Sequence, residues 1–341
     1  MAKRLALNSN TVIARPGLSL YPGLVVSLAL LFLTGAVFTA IIATGIEQDA
    51  ALSFDGVGRL LVFTTAQATA STLLSVLLGT LLAWSLSHCR VFWGRGMLLA
   101  LLSVSMVLPT IIAALGLVSV LGRNGWINQI YHLVTGQSIG FSIYGIAGIL
   151  IAHIWLNAPF VARGLLHRLE GVPVERLKLA ASLRLSPWQR FKIVEWPVLG
   201  TTLPGLAVTV FMLCFTSFAI VLILGGSPNF NTLEVAIFEA VKLEFDLTRA
   251  AILALLQLGV CGFLVMVAAT LSLRSSAISQ PSTFHMWPDP VAARTIQFAT
   301  ILLFAVAFIV PLSAILVDGL RGDIFVVVQD DNFHQALETS L

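Results

Sequence analysis

The sequence predicts an all-α protein that crosses a membrane repeatedly, as a bundle of six spans followed by one more. Three observations carry this expectation. Charges are too few to solvate a surface of this size, apolar runs of spanning length recur along the chain, and basic residues gather on alternate connections. Of the 341 residues, 58% are hydrophobic and only 10% charged, where a soluble domain has about half and a quarter. The mean hydropathy is +0.97. Lipid must be the solvent for most of such a chain.

The spans follow in order. Residues 1–22 form a polar leader with Lys3, Arg4 and Arg15. The first apolar run, 23–45, is longer than a signal-peptide core and has no cleavage site, so it reads as a retained helix. Further spans are expected near 60–86, 97–121, 143–162, 202–224, 250–273 and 296–317, each close to the roughly 20 residues that cross a bilayer.

Charge sets the sidedness. With the N-terminus inside, the cytoplasmic segments hold 14 of the 19 Lys and Arg residues, and the outer ones hold Arg59, Arg123, Lys242, Arg249 and Arg321. Basic residues stay on the cytoplasmic side of a bacterial inner membrane, so the asymmetry orients the bundle. The pI near 9.0 is therefore a topology signal, and no nucleic-acid partner is expected. Cys89, Cys214 and Cys261 are far apart and read as small packing residues.

The residues divide into the leader, a six-span domain at 23–273, a cytoplasmic linker at 274–295 and a restart at 296–341. The linker carries Pro281, Pro288 and Pro290 and has no apolar period. After it a span, an acidic loop and the opening of another helix repeat the order at the start of the chain, which suggests a second copy of the same unit.

The loop between the fourth and fifth spans, 163–197, is the richest in information. It holds seven basic residues. Pro173 suits the first turn of a helix, and Glu175 to Leu183 are good helix formers. Ser186-Pro187-Trp188-Gln189 forms a capping box, with serine as N-cap and glutamine three residues on. The loop thus reads as helix, tight break, helix, with Pro197 returning the chain to the membrane. Leu177, Ala180, Ala181 and Leu185 make an apolar stripe among basic residues. It suits either the lipid interface or a cytoplasmic partner admitted closely by the small pair Ala180-Ala181.

Lys178 to Pro197 resembles the cytoplasmic motif of the membrane subunits of binding-protein-dependent ABC importers. That motif runs Glu-Ala-Ala, three residues, Gly, nine residues, Ile-x-Leu-Pro. Ala180 matches its second alanine, Val194 its isoleucine and Pro197 its proline. Lys178, Leu179, Arg184 and Trp196 depart from it, Arg184 standing where the glycine is usual. The resemblance implies that Ala180, Ala181, Ser182, Leu183, Arg184, Leu185, Ser186, Pro187 and Trp188 dock on a cytoplasmic ABC ATPase dimer. It also implies a periplasmic solute-binding protein as partner. Leu179-Ala-Ala, Val194-Glu-Trp-Pro197, Phe215-Thr-Ser-Phe-Ala219, Leu224-Gly-Gly-Ser-Pro228 and Thr232-Leu-Glu-Val-Ala-Ile237 are similar to thiamine and thiamine-pyrophosphate permeases, which fuse two six-span halves. Ferric-iron permeases are the rival. On this likeness the chain is expected to be either a truncated fused permease or a half-permease with a surplus span. Its stop at an expected helix start favours truncation, with span seven short of helices to pack against.

No Gly-x-x-x-x-Gly-Lys-Ser/Thr occurs, nor even a Gly-Lys pair, so an ATP-driven system of this kind needs its ATPase in another subunit. No catalytic cluster, metal site or cofactor motif is found. A channel is the remaining alternative class. His153 is an ionisable residue at membrane depth, either functional or a packing residue tied to a neighbouring helix. Asn157, Thr216, Ser217 and Phe218 are the candidate pathway residues, since a cationic heterocycle needs aromatic faces and few strong anchors. Gly225-Gly-Ser-Pro228 and the segment 233–241 form either an outer gate or a plain loop helix.

Overall fold

A computed structural model describes residues 56–226, 230–272, 290–322 and 329–330, with scattered positions between 25 and 39 and between 334 and 339. Most of the expected first span, the leader, the bulk of the linker and most of 323–341 lie outside the described residues. All regular structure among the described residues is helical, and six helical stretches, two of them made of consecutive helices (110–135 and 187–215), are long and apolar enough to cross a membrane. They correspond to the second through seventh expected spans.

Helix α1, Val57–His88, has 32 residues. At 1.5 Å per residue it is about 48 Å long, longer than the ~30 Å hydrocarbon layer, so its ends project. One face carries Thr64, Gln67, Ala68, Ser71, Thr72, Ser75, Gly79, Leu82 and Ala83, all buried. Small and hydroxyl side chains at three- and four-residue spacing let two backbones approach in lipid, where apolar burial does not drive association. That face packs on α5, Ile146–Glu170. Its apolar window is 67% buried, the largest share among the six, so α5 is the central span. At Gly79 the approach is closest: a Cβ there would lie 2.7 Å from the Ala158 carbonyl oxygen and 2.7 Å from Val161 Cβ.

The third expected span is broken. α2, Arg95–Val104, ends before Pro109, and α3, Thr110–Leu121, starts after it. Pro109 has no N–H to continue a helix and disfavours helical geometry at Leu108. A turn at Gly122–Gly125 then leads to α4, Trp126–Thr135, which falls between the third and fourth expected spans. The fourth span runs on past Pro159 to Glu170, so Arg163 and Arg168 belong to the helix rather than to the loop.

The loop itself folds as α6, Val174–Ser182, and α7, Pro187–Arg190. Pro173 precedes the first helical residue instead of being it. A π-turn at Phe191–Glu195 joins α7 to α8, Trp196–Phe215, with Pro197 inside its first turn. The Trp196 N–H donates to the Phe191 carbonyl five residues back, and such wide turns relax the hydrogen-bond register near a residue that lacks a donor. The fifth span ends at Phe215 rather than at Leu224. Thr216 Oγ1 donates back to the Met212 carbonyl at 2.9 Å, which its own backbone N–H also reaches at 3.0 Å. A short α9, Ala219–Leu224, follows. α10, Leu233–Lys242, lies against α11, Leu247–Ser272.

Helix α12, Val291–Arg321, is the expected seventh span, and it does not present its whole surface to lipid. Gln297, Thr300, Ile301, Phe308, Pro311 and Ala314 are buried against α1 and α3. Pro311 cannot donate to the Ala307 carbonyl four residues back. Trp155 on α5 supplies the missing donor: its indole Nε1 donates to that carbonyl at 2.7 Å, while its ring stacks on Phe308 at 4.6 Å. The proline that breaks the ladder thus creates the docking point for the central span. Where α3 meets α12, a Cβ on Gly116 would lie 3.0 Å from the Pro311 carbonyl oxygen.

Candidate functional site

The two ends of the bundle differ. At the basic end, α6 and α7 fold over a small apolar cluster of Val172, Leu177, Ala180 and Val194, flanked by Leu185 and Val198. The expected stripe is therefore divided. Leu177 and Ala180 face inward, so Ala180 is not the open surface that sequence reading suggested, and Ala181 is half-buried. The exposed groups are Leu179, Leu183 and Trp188, at 61%, 62% and 71%. Ser182, Arg184, Ser186 and Pro187 are exposed between them and Leu185 is half-buried. Large apolar side chains are thus left exposed at the basic end of the bundle.

The break between the helices is rigidly specified. Gln189 N–H donates to Ser186 Oγ at 3.3 Å, and the Ser186 N–H donates to Gln189 Oε1 at 2.9 Å. The capping box closes as its sequence implies. Arg184 adopts φ 48, the left-handed region where a Cβ costs about 1 kcal/mol. This is the position at which the importer motif carries glycine. Arg184→Gly is accordingly expected to leave the break in place and to raise the thermal midpoint by about 1–3 °C, as roughly 0.5–1 kcal/mol does in a protein of this size. Differential scanning fluorimetry of the detergent-solubilised chain measures it, and a lower midpoint would contradict the strained assignment.

Behind the break lies a group that the sequence did not single out. Glu195, in the π-turn, is 4% exposed. Its Oε1 accepts from Arg190 Nε at 3.2 Å and lies 3.1 Å from Nε2 of His88. His88 ends α1, with Nδ1 2.8 Å from the Trp84 carbonyl oxygen. Nearby, Arg95 Nη2 donates to Glu170 at 2.6 Å and Cys89 Sγ donates to Gln297 on α12 at 3.5 Å. An acid among basic residues was the only local signal for Glu195. Its partner on α1 is far away in sequence and had none.

In the interior, His153 is 1% exposed. Gln67 Nε2 lies 2.8 Å and Ser71 Oγ 3.0 Å from its Nδ1. His153 is thus tied to α1, the packing arrangement weighed from sequence. Asn157, one turn on, is also buried, and its Nδ2 donates to Cys214 on α8 at 3.3 Å. The other candidate pathway residues sit at the break after α8. Thr216 is exposed. Ser217 is 8% exposed, and its Oγ has no hydrogen-bond partner among the described residues. Phe218 rests against Phe238 of α10 with ring centroids 5.1 Å apart. The four do not line one described cavity: Asn157 sits between spans, and the other three at the break.

At the acidic end, residues 227–229 of the expected outer turn lie outside the described residues. Leu233–Lys242 is the loop helix, fixed to α1 by the Leu233 N–H donating to Thr64 Oγ1 at 3.1 Å and to α11 by Gln257 Nε2 donating to Glu234 at 2.5 Å.

No protein-family model matches the sequence. The chain is 39% identical over 325 residues to the thiamine transport system permease protein ThiP of Brucella abortus, covering 92% of this chain and 59% of that protein. It is 41% identical over 283 residues to the protein of the same name from Escherichia coli, covering 82% of this chain and 52% of that one. The chain is a relative of the thiamine transport permeases. It spans between half and three-fifths of the length of those two permeases. A chain in the crystal structure of a bacterial alginate ABC transporter, bound to a periplasmic protein carrying an alginate pentasaccharide, superposes with a TM-score of 0.57 at 15% identity. The match covers 76% of this chain and 96% of that one. The fold is therefore that of an ABC importer permease. With six apolar helical stretches of spanning length, this relative of the thiamine permeases is a multi-pass inner-membrane protein.

Proposed function

We propose that the chain is a membrane-spanning subunit of an ATP-driven importer that passes thiamine or its phosphate esters from a periplasmic binding protein to the cytoplasm. The observation that carries this reading is the 39% identity to a thiamine transport permease along 92% of the chain. The basic end faces the cytoplasm by the charge rule. There the segment from Ala180 to Trp188 docks on a separate ABC ATPase, through Leu183 and Trp188, with the capping box holding the break in shape. ATP hydrolysis belongs to that partner, and this chain is a transport subunit.

The solute passes beside the break after α8. An aromatic face at Phe218 and the hydroxyls of Thr216 and Ser217 suit a cationic heterocycle, which must bind weakly enough to leave. Asn157 joins the path when α5 and α8 part, since its tie to Cys214 is a weak thiol contact.

The test is uptake of labelled thiamine by the assembled system in cells lacking their own thiamine permease. ATP-dependent accumulation of thiamine is expected. Uptake of ferric iron without thiamine would assign the chain to the rival solute, and downhill flux independent of the ATPase would make it a channel.

A further inference from the structure

The basic end contains a tie between the exposed segment and the long span α1, and the importer reading gives that tie a task. Movement of a docked ATPase reaches the spans only through groups that connect the two. α6 rests on an apolar cluster drawn from its own neighbourhood, and Phe191, stacked on Trp188 at 5.8 Å, packs against the main core that includes Leu82 and Leu86 of α1. A buried polar link joins the same two parts. Glu195 occupies the π-turn between α7 and α8, nearly enclosed, with one carboxylate oxygen held between Arg190 of α7 and His88 of α1. Side-chain exposures of 4% for His88 and 12% for Arg190 remove most of the screening that weakens surface pairs. A buried carboxylate is costly when it loses a partner, so the three groups move together or the site reorganises. The π-turn is the element that can change register, since it is bounded by regular helix on both sides and such turns recur where helices must adjust.

α1 then carries the displacement inward. It is the helix packed most extensively on the central span. Through Cys89 and Gln297 its basic end also touches α12. His88 is fixed in turn by Trp84, whose ring lies 4.9 Å from the imidazole.

We propose that Glu195 is a positioning residue for transport: it couples the ATPase-docking segment to α1 through His88, so that hydrolysis and opening of the bundle stay in step. The inference rests on the importer reading above. The experiment uses proteoliposomes holding the complete transporter with its ATPase and binding protein, and reads thiamine taken up per ATP hydrolysed. Glu195→Gln keeps the shape and removes the charge. It is expected to leave hydrolysis within about twofold of the unchanged transporter and to lower uptake per ATP by about tenfold or more, in keeping with the loss of a buried charge pair. His88→Gln leaves the Arg190 pair in place and cuts only the link to α1, so it is expected to lower the same ratio even if Glu195→Gln accumulates poorly. Glu195→Asp, retaining the charge, is expected to recover part of it. A nitroxide at position 183 gives a second readout, gaining mobility in either Gln variant.

Uptake per ATP unchanged in Glu195→Gln and His88→Gln would overturn the proposal, as would a proportional fall of uptake and hydrolysis, which is what a merely structural role produces. If the unchanged transporter hydrolyses ATP without moving thiamine, the functional reading fails and this inference with it. A coupled wild type with unaffected variants defeats the inference alone.

Discussion

Leu183→Glu is expected to reduce thiamine uptake about thirty-fold while leaving the bundle folded and solute binding to the periplasmic receptor intact. Leu183 is 62% exposed, so the change disturbs no internal packing. Its cost falls on the partner contact, where a central apolar anchor is worth about 2 kcal/mol. Leu133→Glu is the matched control. Leu133 is an apolar residue 84% exposed on α4, outside the docking segment. It is expected to keep near-normal uptake at equal membrane abundance. Equal loss in both variants would mean that the effect is general, and normal uptake by Leu183→Glu would remove the docking assignment.

The largest effect on stability is expected at Gly79. A Cβ there meets the Ala158 carbonyl oxygen and Val161 Cβ at 2.7 Å, and backbone cannot swing aside as the end of a side chain can. Gly79→Leu must push α1 away from α5, at a cost of about 3 kcal/mol or more. It would also stretch the Gln67 and Ser71 contacts to His153. Gly259→Ala on α11 is the control, since its Cβ would meet nothing within 4 Å and alanine favours a helix by about 1 kcal/mol. Thermal unfolding in detergent micelles should separate the two: a drop of several degrees for Gly79→Leu, and no drop for Gly259→Ala. Equal midpoints would show that the two spans are not held at this approach.

What the sequence made legible was local or additive. The capping box at Ser186 and Gln189 is a four-residue pattern that determines its own geometry, and it forms. Spans two, four, six and seven announce themselves by apolar content over some twenty residues, which needs no knowledge of their neighbours. Hydropathy is blind to interruptions within such runs. The break at Pro109 lies in a stretch that averages as one span, although the proline was itself a signal. The break at Thr216 has no signal in hydropathy. Long-range consequences were the least legible. The carbonyl freed by Pro311 could be anticipated, but not that Trp155 would meet it, because that depends on which helices pack. For the same reason Ala180 read as partner surface, when Leu177 and Val194 enclose it. Arg184 shows the converse. Its departure from the motif's glycine weakened the resemblance, yet the backbone keeps the left-handed conformation that glycine suits.

The central claim is that the segment from Ala180 to Trp188 is where this permease relative meets its ATPase. A photo-activatable crosslinking residue at position 183, in the complete transporter in native membranes, tests it most directly, with the same residue at position 133 for comparison. The account predicts a crosslinked product from position 183 that contains the ATPase chain, and none from position 133. A product with the ATPase from position 133 but not from 183, or lipid adducts alone from 183, would contradict it.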